Sequence, residues 1–402
     1  MPSALPDGEP VPDSGALPAA ALAEVGSAPL SIYLHVPFCS TRCGYCDFNT
    51  YTANELQGTG TADYLAAAHA EIDLARRVLG EQAPAASTVF FGGGTPTLLS
   101  GAELSGLLAH VRDAFGLQHD AEVTTEANPE TITPQLLEEL LAGGFTRISL
   151  GMQSSNPGVL RILERRHTPG RAVAAARLAH DVGFGDVSLD LIYGTPGESL
   201  DDWRNSVQSA LEAEPEHISA YALIVEDGTR LANQIRRGQL PMTDDDDLAD
   251  KYLATEELLV AAGLENYEVS NWSRGPEHRA RHNMAYWLGH SWWGIGPGAH
   301  SHAGGVRWWN VKHPRSYAAA LAEGRTPGAG RELVAADDRR IERVLLELRL
   351  ADGLPLAVLT DSERVRVDGV LARGLGELRD GRLVLTLQGR LLADAVVRDL
   401  LD

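Results

Sequence analysis

Residues 30–46 read Leu-Ser-Ile-Tyr-Leu-His-Val-Pro-Phe-Cys-Ser-Thr-Arg-Cys-Gly-Tyr-Cys. The first half is β-branched and alternating, which predicts a strand over Ile32–Val36. The second half carries the chain's three cysteines, Cys39, Cys43 and Cys46, in C-x3-C-x2-C spacing. A strand that runs into a loop of unusual residues is a pattern the chain repeats. Further strands are predicted at Thr88–Phe91, Glu122–Ala127, Arg147–Met152, Asp186–Ile192 and His217–Ala222. Helical spacing of apolar residues separates them, at Tyr64–Leu79, Glu103–Phe115, Pro134–Leu141, Arg171–Val182 and Leu200–Leu211. Strand–helix alternation of this kind implies parallel strands with right-handed crossovers, an α/β fold.

In such folds ligands gather at the carboxyl ends of the strands, and the unusual residues here cluster just after strands. The cysteine loop follows the first, Gly92-Gly93-Gly94-Thr95-Pro96 the second, Asn128-Pro129 the third, Gln153 the fourth and Gly194-Thr195-Pro196 the fifth. Soft thiolates bind iron or zinc, and three in one loop can seat a cubane cluster with one iron left open. A half zinc site, completed by a fourth ligand from elsewhere, is the competing reading. The glycine run frees backbone groups to approach a ligand but lacks the ending of a P-loop.

Composition narrows the function class. The 402 residues carry 34 basic and 55 acidic side chains, a net charge of −21, which argues against a coat for nucleic acid or an anionic membrane. Three clustered cysteines give no disulfide framework and suggest a reducing, cytoplasmic setting. Residues 1–29 hold six prolines and no Lys, Arg or aromatic residue, so a disordered leader is expected there and not a targeting signal. No apolar run is long enough to span a bilayer. The acidic run Asp244–Asp247 precedes a helix predicted at Leu248–Ala261, where carboxylates favour the N-terminus. Residues 337–402 read as helix, helix, a hairpin turning at Asp380-Gly381 and a last helix, a winged-helix-like domain without a basic stripe.

Several motifs in order resemble the radical S-adenosylmethionine (SAM) superfamily. The branch is the one holding oxygen-independent coproporphyrinogen III oxidases and heme chaperones. They are Tyr33–Cys39, the cysteine loop, Gly92–Pro96, Glu126-Ala-Asn-Pro129, Ser149–Gln153, Asp190–Gly194 and His282–Trp287. The resemblance implies a partial (β/α)6 barrel over residues 30–262 and a family-specific segment over 263–336 that completes the site. It implies a 4Fe–4S cluster on Cys39, Cys43 and Cys46, with SAM on the fourth iron. Tyr33, Tyr45, Gly93, Gly94 and Thr95 would meet the methionyl end, and Glu126, Gln153, Arg165 and Asp190 the remainder. Taken singly, Glu126 and Asp190 serve as well as ion-pair partners, Arg165 as a surface cation and Gln153 as a strand-end cap; their joint placement on one rim favours the ligand.

The oxidase branch extends its motif to a fourth cysteine, where this chain has Phe48. Asp47-Phe48-Asn49 and His282-Asn283-Met-Ala-Tyr286-Trp287 instead match the chaperone branch, implying heme and a heme acceptor protein. An electron donor such as a flavodoxin or ferredoxin is implied if SAM is cleaved. Residues 271–315 hold six of the seven tryptophans, six of the thirteen histidines, and six basic residues against one acidic residue. That composition suits a porphyrin dianion. The candidates are His282, Asn283, Tyr286 and Trp287, with Arg274, Arg279 and Arg281 for propionates. The competing view is that clustered tryptophans form core and most histidines bind nothing. Coproporphyrinogen oxidation and a structural metal-binding module stand as alternative functions.

Overall fold

Alternation of side chains along six strands builds the barrel wall. In the computed structural model, which describes residues 7–56, 60–81, 83–166 and 168–402, these are β1 (Leu30–Val36), β2 (Ala86–Gly93), β3 (Leu117–Ala127), β4 (Arg147–Gln153), β5 (Asp186–Tyr193) and β6 (His217–Ala222). They lie side by side in chain order, all parallel. On one face Ile32, Leu34, Val89, Phe91, Ile148, Leu150, Leu189 and Ile218 are fully buried against the helices. The opposite face carries Phe90, Glu126, Ser149, Gly151, Asp190 and Ser219, which line the barrel interior. Parallel strands covered on both sides usually read as continuous apolar runs; polar residues at every second position here mean that the inner face surrounds a ligand space.

The helices Thr61–Leu79, Gly101–Phe115, Pro134–Gly143, Arg171–Val182 and Leu200–Leu211 pack outside. Their starts are fixed locally: Ser100 and Glu103, and Ser199 and Asp202, form reciprocal capping boxes, each cap contributing about 1 kcal/mol. The acidic run behaves likewise. Asp244 accepts from the backbone of Asp246 and Asp247 at the head of the helix Asp245–Ala261.

The stretch after residue 262 is not a separate layer but extends both edges of the sheet. β7 (Glu265–Glu268) and β8 (Asn271–Ser273) add to β6. β9 (Ser291–Ile295) adds parallel to β1, followed antiparallel by β10 (His300–Ala303), β11 (Val306–Asn310) and β12 (Gly328–Leu333). Among the described residues the sheet has twelve strands. Buried Glu71 ties this extension to the first barrel helix, accepting from Gly296 N–H (2.8 Å), Asn310 Nδ2 (2.7 Å) and Tyr317 Oη (2.5 Å).

The disorder expected for the leader does not hold from residue 7 onward; residues 1–6 lie outside the described residues. Glu9 pairs with Arg331 through two backbone bonds of 2.9 Å, using the free edge of β12. A short helix, Ala19–Val25, buries Ala21 and Val25 in the main core. The prolines that suggested disorder also lower the entropy lost on ordering, and an open sheet edge supplies partners that sequence composition does not reveal.

The C-terminal unit has its own core, including Val344, Leu348, Val367, Val370, Leu383 and Val396. Its helices Ala336–Glu347, Asp361–Ala372 and Ala393–Leu401 surround a small sheet of β13 (Leu354–Pro355), β14 (Gly376–Arg379) and β15 (Arg382–Leu385). Asp380 and Gly381 both take positive φ, 49° and 74°, as a tight hairpin turn requires. Arg390 Nη2 meets Glu256 Oε1 at 2.5 Å and fastens this unit to the barrel. Among the described residues no helix is long and apolar enough to cross a membrane.

Candidate functional site at the carboxyl ends of the strands

The inner face opens into a cavity of about 680 Å³. Of the residues singled out for cluster and SAM, all but Tyr33 line it: Cys39, Cys43, Tyr45, Cys46, Gly93, Gly94, Thr95, Glu126, Gln153, Arg165 and Asp190. Six different strand ends and loops bring them to one rim.

The cysteine loop is tethered mainly by its backbone. Cys39 N–H donates to Tyr51 O (3.0 Å), Gly44 N–H to Leu163 O (3.1 Å), and Gly44 O accepts from Leu231 N–H (2.9 Å). Asn49 Nδ2 donates to Pro297 O (2.9 Å) and Lys312 O (2.8 Å), anchoring the loop to the sheet extension. All three thiols are unpaired and half-buried. Burial pushes the Cys46 thiol up to about 11 and raises Cys39 as well. Among the described residues no three His, Cys, Asp or Glu side chains converge on a point suited to a single ion. A cubane asks for less, because each thiolate binds a different iron.

Close approach explains the glycines. A Cβ on Gly94 would sit 2.4 Å from Phe38 O, and Gly93, at φ 106°, would drive one into the His35 ring at 2.5 Å. The backbone N–H groups of Gly94 and Thr95 donate to Val36 O (2.8 Å) and Phe38 O (2.7 Å), locking the glycine turn to the cysteine loop. Tyr33 works from behind. Its hydroxyl donates to His35 Nδ1 (3.0 Å), whose Nε2–H donates to Asn49 O (2.9 Å). Burial holds His35 neutral, its pKa lowered to about 4. Tyr33 therefore braces Gly93 instead of lining the cavity.

The polar wall carries two carboxylates and a guanidinium. Glu126 Oε2 accepts from Gly93 N–H (3.0 Å); burial, then the charge of Asp190, raises its pKa to about 7. Asp190 accepts both bonds that the Ser149 hydroxyl can reach, 2.9 and 2.8 Å, and burial raises its pKa. Arg165 Nη1 lies 3.6 Å from Cys43 Sγ, and Nη2 donates to Gly151 O (3.1 Å). Its Nε is buried with no partner among the described residues, a spare donor suited to a ligand carboxylate. Gln153 has φ 64° where the β4–β5 register slips; such backbone strain in a non-glycine residue is typical of binding sites. This donor set fits a cluster and SAM.

Comparison with known proteins agrees. Residues 33–210 match the radical SAM superfamily model. The chain is 55% identical over 380 residues to the heme chaperone HemW of Mycobacterium tuberculosis (strain CDC 1551 / Oshkosh), covering 94% of this chain and 97% of that protein. It belongs to the HemW family of radical SAM proteins. The HemW of Escherichia coli (strain K12) is 36% identical over 359 residues, with 86% and 91% coverage. The solved coproporphyrinogen III oxidase of Escherichia coli, at 24% identity, aligns with TM-score 0.80 over 94% of this chain and 92% of that one; it shares the fold.

In this HemW-family chain the structure closes His282, a heme-ligand candidate from sequence, into the core. His282 is 1% exposed. Its Nδ1–H bonds Thr88 Oγ1 (2.7 Å), which itself donates to Ser31 Oγ, and its Nε2 accepts from Tyr286 Oη (2.9 Å). Both nitrogens are occupied, the ring is stacked on Phe90, and burial lowers its pKa to about 3. Tyr286 is spent on that bond and on an edge contact with Trp292. Trp287 lies close to the Glu268 carboxyl. Asn283 alone of the four lines the cavity. Trp272, Trp293, Trp308 and Trp309 are core. Arg274 donates to Pro215 O and Ala262 O, while Arg279 and Arg281 pair with Asp352 and Asp120. Those tryptophans sit on β8, β9 and β11, interior strands of the sheet whose faces need large apolar cover.

Sequence inspection missed other cavity residues: Arg42, Phe48, Phe90, Thr124, Arg147, Arg166, Tyr221 and Ile224. Ser149 and Ser219 had a readable signal, the period-2 polar positions within otherwise apolar strands.

Proposed function

We propose that this chain is a heme chaperone that holds a 4Fe–4S cluster on Cys39, Cys43 and Cys46. SAM lies against Tyr45, Gly93, Gly94, Thr95, Glu126, Gln153, Arg165 and Asp190, and heme passes to an acceptor protein, in the cytoplasm. The observation that supports it best is identity to a heme chaperone across nearly the whole of both chains, joined to Phe48 at the place of the oxidases' fourth cysteine. When bound, the cluster and SAM supply one-electron reductive cleavage at the sulfonium, which requires an external reductant. The chain's own part would be to hold the cluster on the cysteine loop, which the glycine turn packs against, present Arg165 and the two carboxylates to the ligand, and exclude water from the barrel. Anaerobic reconstitution followed by hemin titration, with and without SAM, tests the proposal. Cys43→Ala should abolish cluster assembly. Conversion of coproporphyrinogen III to protoporphyrinogen by the reconstituted protein would overturn it in favour of an oxidase.

A further inference from the structure

With His282 closed into the core, a porphyrin needs another seat. It requires an exposed apolar face for the ring, cations for two carboxylates, and an open side through which the ligand can leave. The cavity mouth meets all three. Phe48, Tyr221 and Ile224 line it while remaining 49%, 41% and 69% exposed, unusual for large apolar side chains gathered at one opening. Phe48 comes from the loop after Cys46; Tyr221 and Ile224 come from the end of β6 and the residues just past it, backed by buried Ile192 and Leu223. The lip is thus built from two sides of the mouth.

Beside it lies a second cavity of about 910 Å³, also lined by the cysteine loop. The two share Arg42, Arg165 and Arg166, and the second adds Arg161 and Arg230. Arg42 pairs with Glu55 (3.6 Å) and Arg230 with Glu164 (2.8 Å). Arg161 and Arg166 are exposed and have no ion pair with any described residue. Two guanidiniums without an ion pair to any described residue, Arg166 lining the cavity of the apolar lip and Arg161 the adjoining one, in a chain of net charge −21, match an apolar ring that carries two carboxylates.

We propose that this mouth, and not the histidine–tryptophan stretch, seats the porphyrin. The ring lies on Phe48, Tyr221 and Ile224, the propionates meet Arg161 and Arg166, and none of the described histidines binds the iron. The assignment rests on the heme-chaperone reading and places the cargo at the surface, with its outer face open to an acceptor. Hemin and iron-free protoporphyrin IX, titrated separately into the full-length protein by absorbance and tryptophan fluorescence, provide the test. Both should bind with dissociation constants within about threefold, since the ring and carboxylates, not a ligand to iron, supply the affinity. Ile224→Asp and Arg166→Glu should each weaken both by about tenfold or more, through charge against an apolar face and loss of a charge-assisted bond. His290 and His300 have no side-chain hydrogen-bond partner among the described residues, and their double alanine variant should bind both porphyrins as the parent does. Binding of hemin but not of protoporphyrin, loss of binding in the histidine variant, or unchanged binding in folded Ile224→Asp and Arg166→Glu would overturn the seat. Failure of the parent protein to bind either porphyrin would instead overturn the chaperone reading beneath it.

Discussion

Glu126 should make SAM affinity pH-dependent in a calculable way. Its pKa is raised from 4.5 to about 7 by burial in the cavity wall and by Asp190 nearby, so below pH 7 the free protein holds a neutral carboxyl there. A ligand hydroxyl or amino N–H is accepted more strongly by the carboxylate. Binding below the folded pKa must therefore first expel a proton, at 1.36 kcal/mol per pH unit. From pH 7 down to pH 5 this contribution weakens SAM binding by about 100-fold, or about 2.7 kcal/mol; above pH 7 it is flat. Glu126→Gln keeps an acceptor for Gly93 N–H but has no proton to lose. Its affinity at pH 8 should be about 10- to 100-fold below the parent, the value of one charge-assisted bond, and the two curves should converge toward pH 5. Equilibrium dialysis of labelled SAM against reconstituted protein across pH 5–8 reads both. Titration of SAM itself affects both proteins alike, so the ratio isolates the side chain. Parallel profiles would refute the reasoning.

Glu71 offers a stability counterpart. Its pKa is raised to about 7 from 4.5, so between those values the folded protein keeps a proton the unfolded chain has released. Stability then falls as pH rises, by about 3 kcal/mol from this group. Urea unfolding at pH 4.5 and 8 should show that loss in the parent and not in Glu71→Gln, and equal losses would discount it. Gly94→Ala forces its Cβ against Phe38 O and should cost about 1–3 kcal/mol in strain. It should lower SAM retention on gel filtration, while parental retention would mean the loop yields more freely than its two backbone bonds suggest. His282→Ala should cost about 3 kcal/mol in thermal unfolding, from two lost hydrogen bonds and a cavity, with hemin affinity unchanged at low temperature. Because the fold keeps this imidazole neutral, the parent should also lose stability as pH falls from 6.5 toward 3, and the variant less so.

Much of the architecture was legible because it depends on local periodicity. The six strand predictions fall inside the observed strands, with ends displaced by up to five residues at β3, where exposed Gln118, His119 and Asp120 carry no apolar signal. Most residues of the rim were legible for a related reason: they lie at or just past strands whose direction follows from βα alternation. Tyr33 escaped because its role runs through His35, a contact between residues whose side chains meet only once the glycine turn packs over them. The leader escaped because its partner, the edge of β12, lies more than three hundred residues away in the chain.

The histidine–tryptophan stretch marks the boundary between the two kinds of knowledge. Residue order settled that a thiol loop, a glycine turn and alternating polar positions converge on one rim, since spacing and period fix which side chains share a face. It did not settle what His282 does, because a ring nitrogen's role depends on which partner lies within hydrogen-bond reach. Packing gave that ring to Thr88 and Tyr286, buried most of the tryptophans on strands inside the extended sheet, and left Phe48 and Ile224 uncovered at the mouth. Exposure and partner choice are properties of the assembled surface, and they moved the expected porphyrin contact from the most aromatic stretch of the chain to the lip beside its cysteines.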